Sequence, residues 1–293
     1  MNIQLIHFPM KYGCNTPGAD EASEALNSSQ WCDHHQIKTH SIPITQVSDS
    51  TLPNDNTIMN AAKLHHDVVL SILQKRDFPL SFGGDHTCGI GGPWAAMQAY
   101  PEDVTILWLD AHADTHTQHT SPSKHIHGMP CAILQGCCDE PLKIDCSPLL
   151  TKHMVYVGLN SYEEAEINHI HNQGIAHLNA TMIQSIGIKE TLNWIRSHIK
   201  TKALYVSFDL DVLHPDVFYS VNVNMDQAYT TGLGLQLDEV KAILTMLISE
   251  YQCVGMDVVE YNPCLDTNNQ DFNQMIALLD HIVHLVKEKT HES

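Results

Sequence analysis

The segment "WLDAHADTH", Trp108 to His116, sets Asp110, His112 and Asp114 at alternate positions directly after an apolar run. Three other apolar runs also end in polar clusters. "SFGGDHT" carries Asp85 and His86, "SFDLDVLHP" carries Asp209 and Asp211, and "GMDVVEYNP" carries Asp257 and Glu260. Alternate residues of an extended chain point to one side, so Asp110, His112 and Asp114 can converge, as can Asp209 and Asp211. Carboxylates crowded in this way repel one another unless a cation sits among them. Asp110, Asp114, Asp209 and Asp211, with His86 and His112, are enough for two divalent ions if one or two carboxylates bridge. The set is oxygen-rich, with minority imidazole and no thiolate. That suits Mn²⁺, with Fe, Co or Zn as alternatives, better than Mg²⁺ or Ca²⁺. Two ions about 3.5–4 Å apart form the arrangement used for metal-assisted hydrolysis. Any one cluster reads equally well as a solvated strand end or a helix cap. Recurrence after successive apolar strands is what points to a metal centre.

Such residues need elements to position them. Strands are predicted over 3–9, 78–84, 104–112, 153–160, 203–211 and 253–263, from short apolar runs bounded by turn signals. Helical spacing covers 60–76, 92–100, 161–174, 237–251 and 271–289. The alternation predicts an α/β fold with a mostly parallel central sheet and helices on both faces. Ligands of such sheets bind beyond the carboxyl ends of the strands, where all the clusters fall. With no internal repeat, low-complexity tract or linker, residues 1–293 read as a single domain.

Composition narrows the classes. The chain has 15 Lys+Arg against 34 Asp+Glu, a formal charge of −19. That balance disfavours nucleic acid and anionic membrane as partners. No apolar run is long enough to span a bilayer, and "MNIQLIHFPM" lacks the layout of a secretion signal. A cytoplasmic protein is expected. Its nine Cys, without a CxxC pair, read as reduced and mostly buried thiols.

At "GGDHT", "DAHAD" and "SFDLD" the chain resembles the ureohydrolase (arginase–agmatinase) family, and the resemblance runs on to "VVEYNP". It implies a three-layer α/β/α fold, two Mn²⁺ per chain, hydrolysis of a small guanidino or amidine substrate, and a homotrimer or homohexamer. One ion would be held by His86, Asp110, Asp114 and Asp209, the other by Asp110, His112, Asp209 and Asp211, with Asp110 and Asp209 bridging. "HIHGMP" looks like the arginase-type loop, which makes L-arginine, cleaved to L-ornithine and urea, the leading substrate. His127 would shuttle a proton. Glu260 would pair with the guanidinium. His127, Asp114 and Glu260 are thus the expected catalytic residues. Glu163 falls where the family binds an α-amino group, although Glu163 and Glu166 also suit the first turn of a helix.

The pattern departs from the family in two places. Where arginases carry Asn for the α-carboxylate, this chain has His116 and His125, beside a retained Ser123 and an added Lys124. After "SFDLD", the usual Gly-Thr-Pro is replaced by Asn222-Val223-Asn224. Agmatine, guanidinobutyrate, guanidinopropionate and formimidoylglutamate therefore stay open as substrates. A deacetylase-like amide hydrolase with one Zn²⁺ and a non-catalytic relative are the readings from other classes.

Overall fold

The predicted apolar runs all become strands, and short polar segments add two more. In a computed structural model describing residues 1–221 and 233–292, the strands are β1 Ile3–Phe8, β2 Lys38–Ser41, β3 Phe78–Gly83, β4 Val104–Leu109, β5 Met154–Leu159, β6 Ala176–Asn179, β7 Ala203–Asp209 and β8 Gln252–Val259. The helices are α1 Ala22–Ser28, α2 Trp31–His35, α3 Asp55–Leu73, α4 Cys88–Ala99, α5 Pro130–Leu134, α6 Glu164–Gln173, α7 Ala180–His198, α8 Leu237–Glu250 and α9 Gln270–Glu292.

Every strand pairing in the sheet is parallel, in the order β2-β1-β3-β8-β7-β4-β5-β6. The last two strands in sequence, β7 and β8, thus insert between β3 and β4. The four strands that carry the polar clusters become neighbours, and parallel pairing brings their carboxyl ends to one edge.

Alternate residues serve opposite faces of the sheet. Leu107 and Leu109 of β4 pack with Phe82, Val206 and Phe208 beneath Ile183 of α7, Leu244 of α8 and Ile282 of α9. Ile106 and Trp108 pack with Tyr205 against Val69 of α3, Ile90 of α4 and Ile133 of α5. The result is the expected α/β/α sandwich with two apolar layers. Each large side chain removed from water there contributes about 1.5–3 kcal/mol.

Sequence periodicity missed the edges. The outermost strands β2 ("KTHS") and β6 ("AHLN") hold few apolar residues, because an edge strand pairs on one side only. α7 also went unpredicted; its helical pattern is interrupted at Gly187, which takes φ +75°. The strands leading to the site are shorter than predicted. β4 stops at Leu109 rather than 112, and β7 at Asp209 rather than 211, with Leu210–Val212 forming a 3₁₀ turn. Convergence of Asp110, His112 and Asp114 therefore comes from a loop, not from strand pleating.

Gly84 ties three of these strand ends together. Its N–H donates to Phe8 O at 2.8 Å, its carbonyl accepts from Glu260 N at 2.9 Å, and Asp85 N donates to Met10 O at 2.9 Å. A Cβ at Gly84 would fall on the Met10 carbonyl. Gly84→Ala should therefore destabilise the fold by about 3 kcal/mol, read as a fall in the urea midpoint; an unchanged midpoint would show that this approach is not a constraint.

Candidate metal centre

His86 follows β3 and is locked before any ion is considered. Its ring stacks on Trp108 with centroids 4.3 Å apart and planes 11° apart. Its Nε2 lies 2.9 Å from Ser207 Oγ, and its N–H donates to Glu260 Oε1 at 2.7 Å. With Nε2–H donating to Ser207, the Nδ1 lone pair faces Asp110 Oδ2 at 2.9 Å, Asp209 Oδ2 at 3.0 Å and Asp114 Oδ2 at 3.1 Å. His86 Nδ1, Asp110 Oδ2 and Asp114 Oδ2 are buried and have no hydrogen-bond partner. Ligand atoms about 2.1 Å from one ion lie about 3 Å apart at a right angle, so this spacing fits a cation where the acceptors now face one another.

A second group adjoins it. His112 Nδ1 lies 2.8 Å from Asp211 Oδ2 and 3.7 Å from Asp110 Oδ1. Asp110 belongs to both groups. Backbone donors hold the carboxylates: His112 N to Asp110 Oδ1 at 2.6 Å, Asp211 N to Asp209 Oδ1 at 2.8 Å, and Ala111 N to Asp211 Oδ1 at 3.1 Å. All six sequence-predicted ligands are thus brought together.

Electrostatics describe the same crowding. Burial disfavours the charged form of the imidazoles of His86 and His112, but the carboxylates around them outweigh it and raise both well above the ordinary histidine value. Burial and then the Asp110 charge push Asp114 up to about 7. Burial, with the charges of Asp211 and Asp110, holds Asp209 well above the usual carboxylate range. The neighbouring carboxylate charges that raise Asp114 and Asp209 are what a cation among them would offset.

The catalytic candidates flank this centre. Glu260 follows β8 with φ +71°, and Asp114 has φ +48°, both uncommon for residues with a Cβ. Glu260 is buried, and its Oε2 has no partner. His127 sits in the 3₁₀ turn Ile126–Gly128, its Nδ1 3.4 Å from Glu260 Oε1. Burial lowers its basicity, yet the hydrogen bond and charge of Glu260 raise it above the ordinary value.

The substrate-tail candidates are more dispersed. His116 is buried; its Nδ1 lies 3.1 Å from Thr120 Oγ1. Its Nε2 lies 3.5 Å from Glu163 Oε2 and 3.6 Å from Glu166 Oε2. Glu166 is committed to structure, accepting from Thr115 N at 3.2 Å and from Glu163 N at 3.0 Å in a capping box at the start of α6. Glu163 is the N-cap and stays half-exposed. Ser123 Oγ accepts from His125 N at 3.2 Å, and the His125 ring lies 6.0 Å from that of His127. Lys124 Nζ donates to Gln118 O at 2.8 Å. Asn222-Val223-Asn224 lies outside the described residues.

Two acids of the quoted motifs stand apart. Asp85 accepts from Gly13 N at 2.7 Å and Thr87 Oγ1 at 2.5 Å, fixing the loop after β1. Asp257 lies within β8, fully buried, and accepts from Tyr205 Oη at 2.5 Å. Sequence reasoning missed Ser207, Trp108 and Cys14. Ser207 was findable, being two residues before Asp209 on the same strand face. Cys14 carries no local signal at all.

The family model for the arginase family matches residues 1–284. An arginase of Staphylococcus aureus (strain MRSA252) is 30% identical over 296 residues, covering 94% of this chain and 95% of that protein. The solved arginase of Bacillus caldovelox superposes with a TM-score of 0.84 at 27% identity, over 96% of this chain and 98% of that one. A formimidoylglutamase from Bacillus subtilis shares the fold, with a TM-score of 0.76 at 19% identity over 98% of this chain and 87% of that one. With a family model spanning nearly its whole length and a relative this similar across 94% of it, the chain belongs to the arginase family, a family of metal-dependent hydrolases.

Proposed function

We propose that the chain hydrolyses the guanidino group of a small substrate, with L-arginine, cleaved to L-ornithine and urea, as the leading candidate and two Mn²⁺ per chain as the cofactor. The observation carrying this reading is the convergence of Asp110, Asp114 and Asp209 carboxylate oxygens within 3.1 Å of His86 Nδ1, with buried acceptors left unpaired. His86, Asp110, Asp114 and Asp209 would hold one ion, and Asp110, His112, Asp209 and Asp211 the other. When bound, the ions supply an activated water and a positive field for the charge that develops during hydrolysis.

The remaining work falls to the chain's own side chains. Glu260 Oε2, buried and unpaired, can accept an N–H of a planar guanidinium and so orient it. Asp114, a carboxylate of the same centre, would take up a proton from the attacking water. His127 keeps Nδ1 toward Glu260 and has Nε2 left to pass a proton to the departing amine. Glu163 would meet an α-amino group, and Ser123, His116 and His125 would meet an α-carboxylate. Agmatine, guanidinobutyrate, guanidinopropionate and formimidoylglutamate are the alternatives, because His116 stands beside two glutamates and Lys124 Nζ is bonded to Gln118 O.

The deciding experiment is urea release by Mn²⁺-loaded protein from each guanidino substrate, with formamide release from formimidoylglutamate alongside. Turnover of L-arginine above the others is expected; turnover of another member alone would reassign the substrate, and turnover of none would overturn the reading. Asp110→Ala or Asp209→Ala should reduce the metal content below two per chain and bring turnover to background. Full activity in either, or a wild-type content of one ion per chain, would return the one-metal amide-hydrolase reading. His127→Asn should slow turnover about 10²–10⁴-fold with the metal content unchanged; loss of metal instead would mean that His127 is a ligand.

A further inference from the structure

A third group of donors lies beside the metal centre and is not used by it. Cys14 Sγ, a ring nitrogen of His127 and a carboxylate oxygen of Glu260 all lie within 4.8 Å of one another. They come from three separate places: the loop after β1, the 3₁₀ turn Ile126–Gly128, and the end of β8. The fold holds them rigidly. His127 N donates to Gly13 O at 3.4 Å, and Gly13 N donates to Asp85 Oδ2 at 2.7 Å. Glu260 is fixed through Gly84 O and His86 N. Cys14 and Glu260 are 6% and 4% exposed, and Glu260 Oε2 is buried without a partner. His127 is accessible on one side, with 30% of its side chain exposed.

The chemistry of this trio differs from that of the main centre. Sulfur, nitrogen and oxygen donors select a borderline-soft ion, so the trio suits Zn²⁺ rather than Mn²⁺. His127 Nδ1 and Glu260 Oε1 are 3.4 Å apart, about the edge of a tetrahedron with bonds near 2.1 Å. Cys14 Sγ makes a weak contact to Lys11 O at 3.8 Å. Three protein donors and one open side are the makings of a site that water completes.

We propose that Cys14, His127 and Glu260 form an inhibitory Zn²⁺ site at the mouth of the metal centre. Binding forms Zn–S, Zn–N and Zn–O bonds and releases to solvent the Cys14 thiol proton and the proton His127 Nδ1 shares with Glu260, with no electron transferred. An ion there occupies the two side chains proposed to pass the proton and orient the guanidinium, so turnover stops while both Mn²⁺ stay in place. The inhibitory effect rests on the proposed function; the binding does not.

The test titrates Zn²⁺ into Mn²⁺-loaded protein with Mn²⁺ in excess, following metal content and turnover together. A third equivalent should bind as turnover is lost. In Cys14→Ala and Cys14→Ser, basal turnover and both Mn²⁺ should persist, while Zn²⁺ binds at least about 10–100-fold more weakly. Added Co²⁺ should give a thiolate-to-cobalt absorption band in the wild type and none in the variants. This readout survives even if no substrate of the panel is turned over. Equal Zn²⁺ inhibition of wild type and both variants, or no thiolate band, would overturn the proposal, since Zn²⁺ would then be acting in the main centre or elsewhere.

Discussion

Everything in this molecule is arranged around an electrostatic problem: four aspartates packed against two histidines at the carboxyl edge of a sheet, most of them buried. Asp110 is fully buried, and Asp114 and Asp209 nearly so. Uncompensated, such a cluster costs several kcal/mol per buried charge. The chain lowers that cost only in part, through backbone N–H groups of Ala111, His112 and Asp211. Three ligand-type atoms are left facing one another with no donor between them. A fold that retains this cost is built to be completed by cations, and metal binding is then coupled to its stability.

The sheet topology is what makes the cluster possible. His86, Asp110, Asp209 and Glu260 are far apart in sequence, yet each ends or follows one of four strands that lie side by side. The two apolar layers clamp those strands, so the loops at their ends can hold unfavourable backbone angles at Asp114 and Glu260. Strain of this kind persists only where the surroundings over-determine it. The core thus stabilises what the site destabilises.

Around that shared centre, the outer residues individualise the chain. The N-terminal loop brings Cys14 against His127 and Glu260. The loop after Asp114 seats His116 beside Glu163 and Glu166 and bonds Lys124 to Gln118 of the same loop. Family membership therefore speaks for the hydrolytic centre, while the proposed substrate tail and the proposed competing ion rest on these side chains.

The candidate metal ligands were legible in the sequence because they follow apolar runs, and a buried strand leaves its mark on every residue it contains. The α/β class was legible for the same reason. Edge strands β2 and β6 were not, since a strand packed on one side needs little apolar character. Alternation correctly grouped Asp110, His112 and Asp114 but for the wrong reason, as β4 ends before them. Whether Asp85 and Asp257 joined the centre, which atom of His86 faced the carboxylates, and where Lys124 turned were decided only by the tertiary structure. So was the meeting of Cys14 with His127 and Glu260. The physical reason is one of range. Strand formation and ligand type are properties of short segments, whereas a site needs distances of a few ångströms between segments that only the order and packing of the strands bring together.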